Sequence, residues 1–333
     1  MIFKNGLLSM QVDISAGDFE PATKQEMENL EKMRQNVTYW QDAWRRLKEN
    51  KIAMGALIVI ILFIIFAVVG PWLVPYGYEQ QIRGDESLFP CMKHPFGTDN
   101  LGRDLLVRVM IGTRISMGIG VGASLIVLII GSIYGAVSGL LGGKSDSVMM
   151  RIVEIIYSLP DILIIILLQL MLKPILEEKS ASGSGGVLQV LGPGIIAIFV
   201  VFGLLYWVGM ARIVRAQVLS LKEMEYINAA RALGANNKRL IFKHLLPNSM
   251  GTIIVTTMLQ IPAAIFTEAF LSFLGLGVNA PLASLGSLSS QALNGISSYP
   301  YMLIFPALAI SLIILSFNLF GDGLRDALDP KLK

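Results

Sequence analysis

The stretch Ser220–Asn248, SLKEMEYINAARALGANNKRLIFKHLLPN, lies between two strongly apolar runs and carries its own helix punctuation. Ser220 followed by Glu223 has the spacing of a capping box, in which hydroxyl and carboxylate each satisfy an orphan amide, and predicts a helix start there. Leu221, Met224, Ile227, Ala230 and Leu233 form an apolar stripe at helical spacing, and Gly234 stands where a left-handed residue ends such a helix. Asn236 predicts the start of a second helix through Arg239, Phe242 and Leu246, which Pro247 is expected to terminate. Two helices this short bury too little apolar surface to offset their ordering entropy, so the elbow must dock on another surface.

Outward from the elbow, the composition points to a membrane. Of 333 residues 54% are hydrophobic and only 15% charged, with mean hydropathy +0.63. The net charge of +3 decides little, because the placement of Lys and Arg matters more than their sum. The single cysteine, Cys91, excludes an intrachain disulfide, and two histidines without a cysteine cluster leave no zinc site. The opening MIFKNGLLSM is too short an apolar run for a cleaved signal.

Residues 1 to about 25 carry no pattern. From Met27 to Leu47 apolar residues recur at threes and fours, and Tyr39, Trp40 and Trp44 beside Arg45, Arg46 and Lys48 predict an amphipathic interfacial helix. Charge-free or nearly charge-free runs then predict six spans at about 52–74, 117–141, 148–172, 194–210, 253–274 and 301–320. Gly131, Gly135 and Gly139, with Gly118 and Gly122 echoing them, predict close helix approach along the second span. Lys173–Leu191 with SASGSGG reads as a flexible loop. SGLLGGKS at Ser138–Ser145 looks superficially like a phosphate loop, but Ser138 replaces the first glycine and a long helix precedes it, so no ATP site is expected in this chain. Asp161, after Pro160, and Glu268 are the acidic groups away from span ends, and both are expected to face protein or the solute path rather than lipid.

With the amino terminus inside, 20 of the 27 Lys and Arg fall on the inner segments, the pattern expected for cytoplasmic loops. The reading is an all-α integral membrane protein of six transmembrane helices, with amino and carboxyl termini cytoplasmic. It comprises an amino-terminal segment 1–50 with its interfacial helix, and a six-span domain 51–333 whose loop 212–248 holds the elbow between spans four and five.

Within the elbow, Asn228-Ala229-Ala230, Gly234 and His244-Leu245-Leu246-Pro247 closely resemble the EAA loop of permease subunits of bacterial ABC importers, with Asn228 in place of the usual Glu and His244 of the usual Ile. The resemblance implies a coupling helix seated in a cleft of an ATPase subunit, through Glu225, Asn228, Ala229, Ala230, Arg231, Gly234, Ala235, Leu246 and Pro247. A second stretch, HPFGTDNLGRDLLVRVMIGTRIS at His94–Ser116, matches the signature of the C-type permease subunits of oligopeptide, dipeptide and nickel importers, carried by Gly97, Thr98, Asp99, Gly102, Arg103 and Asp104; Val107 stands where that family has Ser. Gly97 and Gly102 supply turn freedom there, and Asp99, Arg103, Asp104, Arg108 and Arg114 are expected to form a paired charge network. Near the end SFLGLGV is also family-like, whereas Leu285 replaces the family's Trp.

What the resemblance implies is a transport subunit rather than an enzyme, in a bacterial cell membrane. It would work with a second permease subunit, two ATP-binding subunits that use ATP and Mg, an extracellular solute-binding protein and the surrounding lipid. No cofactor, metal or nucleic acid is expected on this chain. Peptides are the expected cargo, with nickel or another small solute as the alternative. A stand-alone secondary transporter would need several intramembrane ionisable groups and inverted repeats, which the sequence does not offer. A membrane-embedded enzyme would need grouped His, Cys or paired acids, also not offered.

Overall fold

The computed structural model describes residues 38–181, 186, 191–278 and 282–329. Regular structure among them is helical, apart from one isolated bridge between Thr98 and Asp104. The helices, in chain order, are α1 Tyr39–Glu49, α2 Lys51–Val68, α3 Gly70–Leu73, α4 Leu105–Leu141, α5 Gly143–Tyr157, α6 Asp161–Ala181, α7 Pro193–Leu205 and α8 Trp207–Leu221. After these come α9 Glu225–Ala232, α10 Asn237–Arg239, a π-helical turn Leu240–Leu245, α11 Leu246–Asn248, α12 Met250–Phe273, α13 Leu285–Ala292 and α14 Tyr301–Leu328. Five stretches are long and apolar enough to cross a membrane: α2, α4, α7 with α8, α12 and α14. The sixth candidate is the pair α5 and α6, bent by 83°.

The chain divides into two units, Met1–Asp42 and Ala43–Lys333. Of the first, only Thr38 and the start of α1 belong to the described residues, with Tyr39 edge-on to Trp40. The expected pattern-free residues 1–25 and the beginning of the amphipathic helix, residues 27–37, lie outside them.

In the second unit the long helix α4 is central. Its glycines lie against α8: a methyl group added at Gly135 would come within 2.3 Å of the Ala211 carbonyl, and one at Gly131 within 2.6 Å of Met210 Cβ. Gly139 faces Val218 and the Arg215 carbonyl in the same way, and Gly122 faces the Phe199 ring, whereas Gly118 meets nothing. Small residues let two backbones approach until dispersion and backbone contacts replace lipid, so this stripe holds α4 and α8 together. Two main apolar clusters result. One, around Val127, Phe202, Val214 and Leu245, joins α4, α7, α8 and the π-turn. The other, around Ile60, Ile265, Leu285 and Ile313, joins α2, α12, α13 and α14.

Several boundaries differ from those read in the sequence, each for a physical reason. Span two begins at Leu105 rather than 117, because the Asp104 carboxylate accepts from Val107 N and caps the helix. One charge that looked like part of a loop lies inside this helix and is satisfied by another: Arg114 donates to the Ala67 and Val68 carbonyls left open where α2 ends. The first span ends at Val68 and restarts as α3 across Gly70-Pro71. Span three is two helices, broken at Ser158–Pro160, where the proline has no amide to donate. Lys173–Ala181 continues α6 instead of forming a loop, while residues 182–185 and 187–190 lie outside the described set, as do 279–281 and 330–333.

The elbow itself starts later than expected. Val214 and Val218, buried on α4, carry α8 through to Leu221, so Ser220 lies in its last turn and no capping box forms with Glu223. The first elbow helix begins at Glu225 after Met224, which makes no side-chain cap. Pro247 does not itself end the second helix: it falls in the first turn of α11, which closes one residue later at Asn248, and α12 opens after Ser249 at Met250. The closing GDGLRDAL extends α14 to Leu328, with Gly323 pressed against Ala53.

Candidate functional site

The short helix α9 is closed by a Schellman motif: Gly234 N donates to the Arg231 carbonyl and Ala235 N to the Ala230 carbonyl. Gly234 has φ +84°, a conformation that a side chain resists, although open space surrounds the position where its Cβ would lie. Asn236 then caps the second arm by accepting from Arg239 N at 2.8 Å. Only part of the apolar stripe is hidden. Ile227, Leu240 and Leu245 are fully buried and moor the elbow to the body, whereas Met224, Tyr226, Phe242 and above all Leu233, 89% exposed, project outward. Glu225, Asn228, Ala229, Arg231 and Pro247 are exposed beside them, and Ala230, Ala235 and Leu246 are half-buried. A large apolar side chain beside a rigid, capped turn, ringed by polar residues, is the make-up of a contact surface.

Behind the elbow lies a group that no sequence pattern announced. Arg215 of α8 donates to both carboxylate oxygens of Asp146 on α5, at 2.6 and 2.5 Å, and Ser138 of α4 donates to Asp146 Oδ1 at 2.5 Å. Three helices therefore meet at one carboxylate. The stretch that looked superficially like a phosphate loop is this corner.

Asp161 and Glu268 have different surroundings. Asp161 opens α6 at the 83° bend, is exposed, and accepts from its neighbour Ile162 N at 2.8 Å. It lines a cavity of about 520 Å³ with Tyr157, Tyr206 and Gln260. Gln260 also borders a second cavity of about 720 Å³, whose wall includes Gln217, Thr252, Thr256 and Arg325. Thr252, Thr256 and Gln260 follow each other at one helical turn, so one face of α12 carries uncharged polar groups along both cavities. Glu268 is fully buried, and its two oxygens accept from Ser116 of α4 at 2.8 Å and Ser272 at 2.7 Å. Ser116 also accepts from Leu285 N, the first residue of α13, so Glu268 anchors a knot of three helices.

The segment before α4 is an ordered scaffold. Asp99 accepts from Leu101 N, Arg103 N and Arg103 Nε, and Arg108 Nη1 lies 3.5 Å from its second oxygen. Asp104 does not join that network: its Oδ2 holds the buried His94 at 2.7 Å. Arg114 is likewise elsewhere, on the carbonyls of α2. Gly97 and Gly102 have φ of +76° and +71°, and a side chain at either would collide with the Leu88 or Ile82 carbonyl. Thr98 is fully buried; its hydroxyl donates to the Asp85 carbonyl and accepts from Leu88 N, and its carbonyl accepts from Tyr301 OH. Lys93, 2.5 Å from Asp85, holds that carboxyl below the usual range and is itself raised by it, while burial pushes the Tyr78 phenol up. Among the described residues no group of three or more His, Cys, Asp and Glu is placed to hold a metal ion.

The family model of binding-protein-dependent transport system inner membrane components matches residues 130–333, and that of the N-terminal TM domain of oligopeptide transport permease C matches residues 38–90. The dipeptide transport system permease protein DppC of Bacillus subtilis is 48% identical over 301 residues, covering 90% of this chain and 88% of that protein. The oligopeptide transport system permease protein OppC of the same organism is 44% identical over 315 residues, 95% and 97% of the two chains. OppC of Escherichia coli is 42% identical over 316 residues, 93% and 98%.

Proposed function

We propose, for a chain that belongs to the family of binding-protein-dependent transport system inner membrane components, that it is one permease half of an ATP-driven importer of di- and oligopeptides. It is a multi-pass inner membrane protein. In this reading a second permease subunit completes the path, two ATPase subunits bind ATP and Mg, and an extracellular binding protein delivers the peptide. Loop 212–248 and both termini are cytoplasmic. Similar proteins named as dipeptide and oligopeptide permeases support peptide over nickel.

The observation that carries the coupling role is Leu233, projecting from a Schellman-closed turn that Ile227 and Leu245 tie to the body. Closure of the ATPase pair would push α9, and α8 would pass the movement to α4 and, through Asp146, to α5. The cavities that meet at Gln260 would carry the peptide, with Asp161 receiving its amino terminus. The test is uptake into intact cells and into right-side-out membrane vesicles loaded with ATP, which carry this chain and its partner subunits as their sole importer. Labelled dipeptide and tetrapeptide should accumulate only with hydrolysable ATP and binding protein. Accumulation of nickel without peptide would overturn the peptide reading.

A further inference from the structure

Between the start of α4 and the end of α13 lies a cavity of about 380 Å³. Arg108 forms part of its wall and is itself only 2% exposed. Its guanidinium is incompletely used. Nη2 donates to Gln291 Oε1 at 3.1 Å, Nη1 is 3.5 Å from Asp99, the plane lies over the Tyr78 ring at 5.5 Å, and Nε–H is buried with no acceptor. A buried guanidinium missing an acceptor loses the hydration of that donor without replacement.

The charges do not balance either. Arg103 and Arg108 share one carboxylate, Asp99, of which Arg103 takes the shorter contact at 2.7 Å. The neighbouring Asp104 is turned away to His94 and to its own helix cap. One positive charge therefore remains over in a partly enclosed space whose other walls include Leu105, Leu288 and Met302 and whose polar edge includes Asn294. A planar fork beside an apolar wall matches a carboxylate attached to an apolar side chain. That is the chemistry of the last residue of a peptide, and roughly 380 Å³ holds a ligand of the size that small-molecule pockets accept.

We propose that this cavity is a subsite for the carboxyl terminus of the transported peptide, with Arg108 as its anion-binding residue and Gln291 as the residue that positions the guanidinium. The inference rests on the peptide-importer reading above. It places recognition of the carboxyl end at the Asp104 end of α4, apart from the cavity at the α5–α6 bend where Asp161 lies.

Gln291→Glu puts a carboxylate of the chain's own beside Arg108 and fills the vacancy for charge without removing a buried group; Asn294→Asp brings one to the rim. Uptake of one tripeptide with a free and with an amidated carboxyl terminus is measured in the complete importer. Each rate is normalised to the peptide's affinity for the isolated binding protein, which has its own preference. In the wild type the free acid should be favoured, and Gln291→Glu should lower the ratio of free acid to amide about tenfold, the worth of one charge-assisted hydrogen bond. Asn294→Asp should lower it less. A ratio unmoved in both variants, with normal free-acid uptake, overturns the subsite and leaves the importer reading standing. A parallel loss for both peptides also overturns it, because the carboxylate would then come from a docked protein. A wild-type importer that moves neither peptide overturns the importer reading, and this one with it.

Discussion

The guanidinium of Arg215 grips both carboxylate oxygens of Asp146 across 69 residues of sequence, and this pair ties the helix leading into the elbow to the helix leading into the 83° bend. Asp146 is also the acceptor for Ser138, so replacing it leaves two donors stranded. Asp146→Asn and Arg215→Met should each lower the stability of the assembled complex by about 2 kcal/mol, as expected for a partly buried charge-assisted pair. The double variant should cost clearly less than the sum, since either change alone breaks the same contact. Thermal unfolding of the detergent-solubilised complex measures this, and strict additivity would show that the two residues act independently.

At Gly234 the expected effect is on coupling rather than folding. A side chain there meets open space, so the penalty is the left-handed backbone alone, about 1–2 kcal/mol for an ordinary residue and more for a β-branched one. Gly234→Val should leave the subunits assembled while uptake falls severalfold and ATPase activity stops responding to loaded binding protein. Gly234→Asn, which tolerates this conformation, should retain most uptake. Full uptake by the valine variant would remove the elbow from the coupling path.

Cys91 is free and exposed in the segment between α3 and α4. With the amino terminus inside, that segment faces the outside, and a membrane-impermeant thiol reagent should label Cys91 in intact cells. Labelling only after lysis of cells with folded importer would reverse the orientation.

Asp161 and Glu268 should separate cleanly. Glu268→Ala strands two serine hydroxyls in a buried knot and should destabilise the complex by roughly 2–4 kcal/mol, with Glu268→Gln much milder. Asp161→Asn removes a charge from a cavity wall and should leave stability unchanged. Its effect should fall on transport, with peptides bearing a free amino terminus losing more than those with a blocked one. Equal loss for both peptides would take Asp161 out of solute recognition.

The parts legible in the sequence were those that local chemistry decides. Apolar runs located five long helices, Gly234 and Asn236 marked a real cap and a real start, and Gly131, Gly135 and Gly139 marked the tight face of α4. Boundaries set by distant partners were not legible. Arg108 and Arg114 looked like loop residues because their acceptors, Gln291 and the Ala67 carbonyl, lie 183 and 47 residues away. Ser220 and Glu223 had the spacing of a cap, but burial of Val214 and Val218 on α4 prolonged the preceding helix through them. The Asp146–Arg215 pair and the cavity beside Arg108 have no signature at all in spacing, since each is assembled by packing.

The length of α4 carries one more consequence. Thirty-seven residues at about 1.5 Å each make a rod of about 55 Å, against roughly 30 Å of hydrocarbon. One end opens at the Asp104 cap, within four residues of Arg108, and the other is bonded through Ser138 to Asp146. Such a rod behaves as a seesaw: pivoting by about 5° at its middle swings each tip by about 2.4 Å, enough to make or break a hydrogen bond. News of what the elbow is doing would thus arrive at the Arg108 guanidinium mechanically, with no relay of side chains in between.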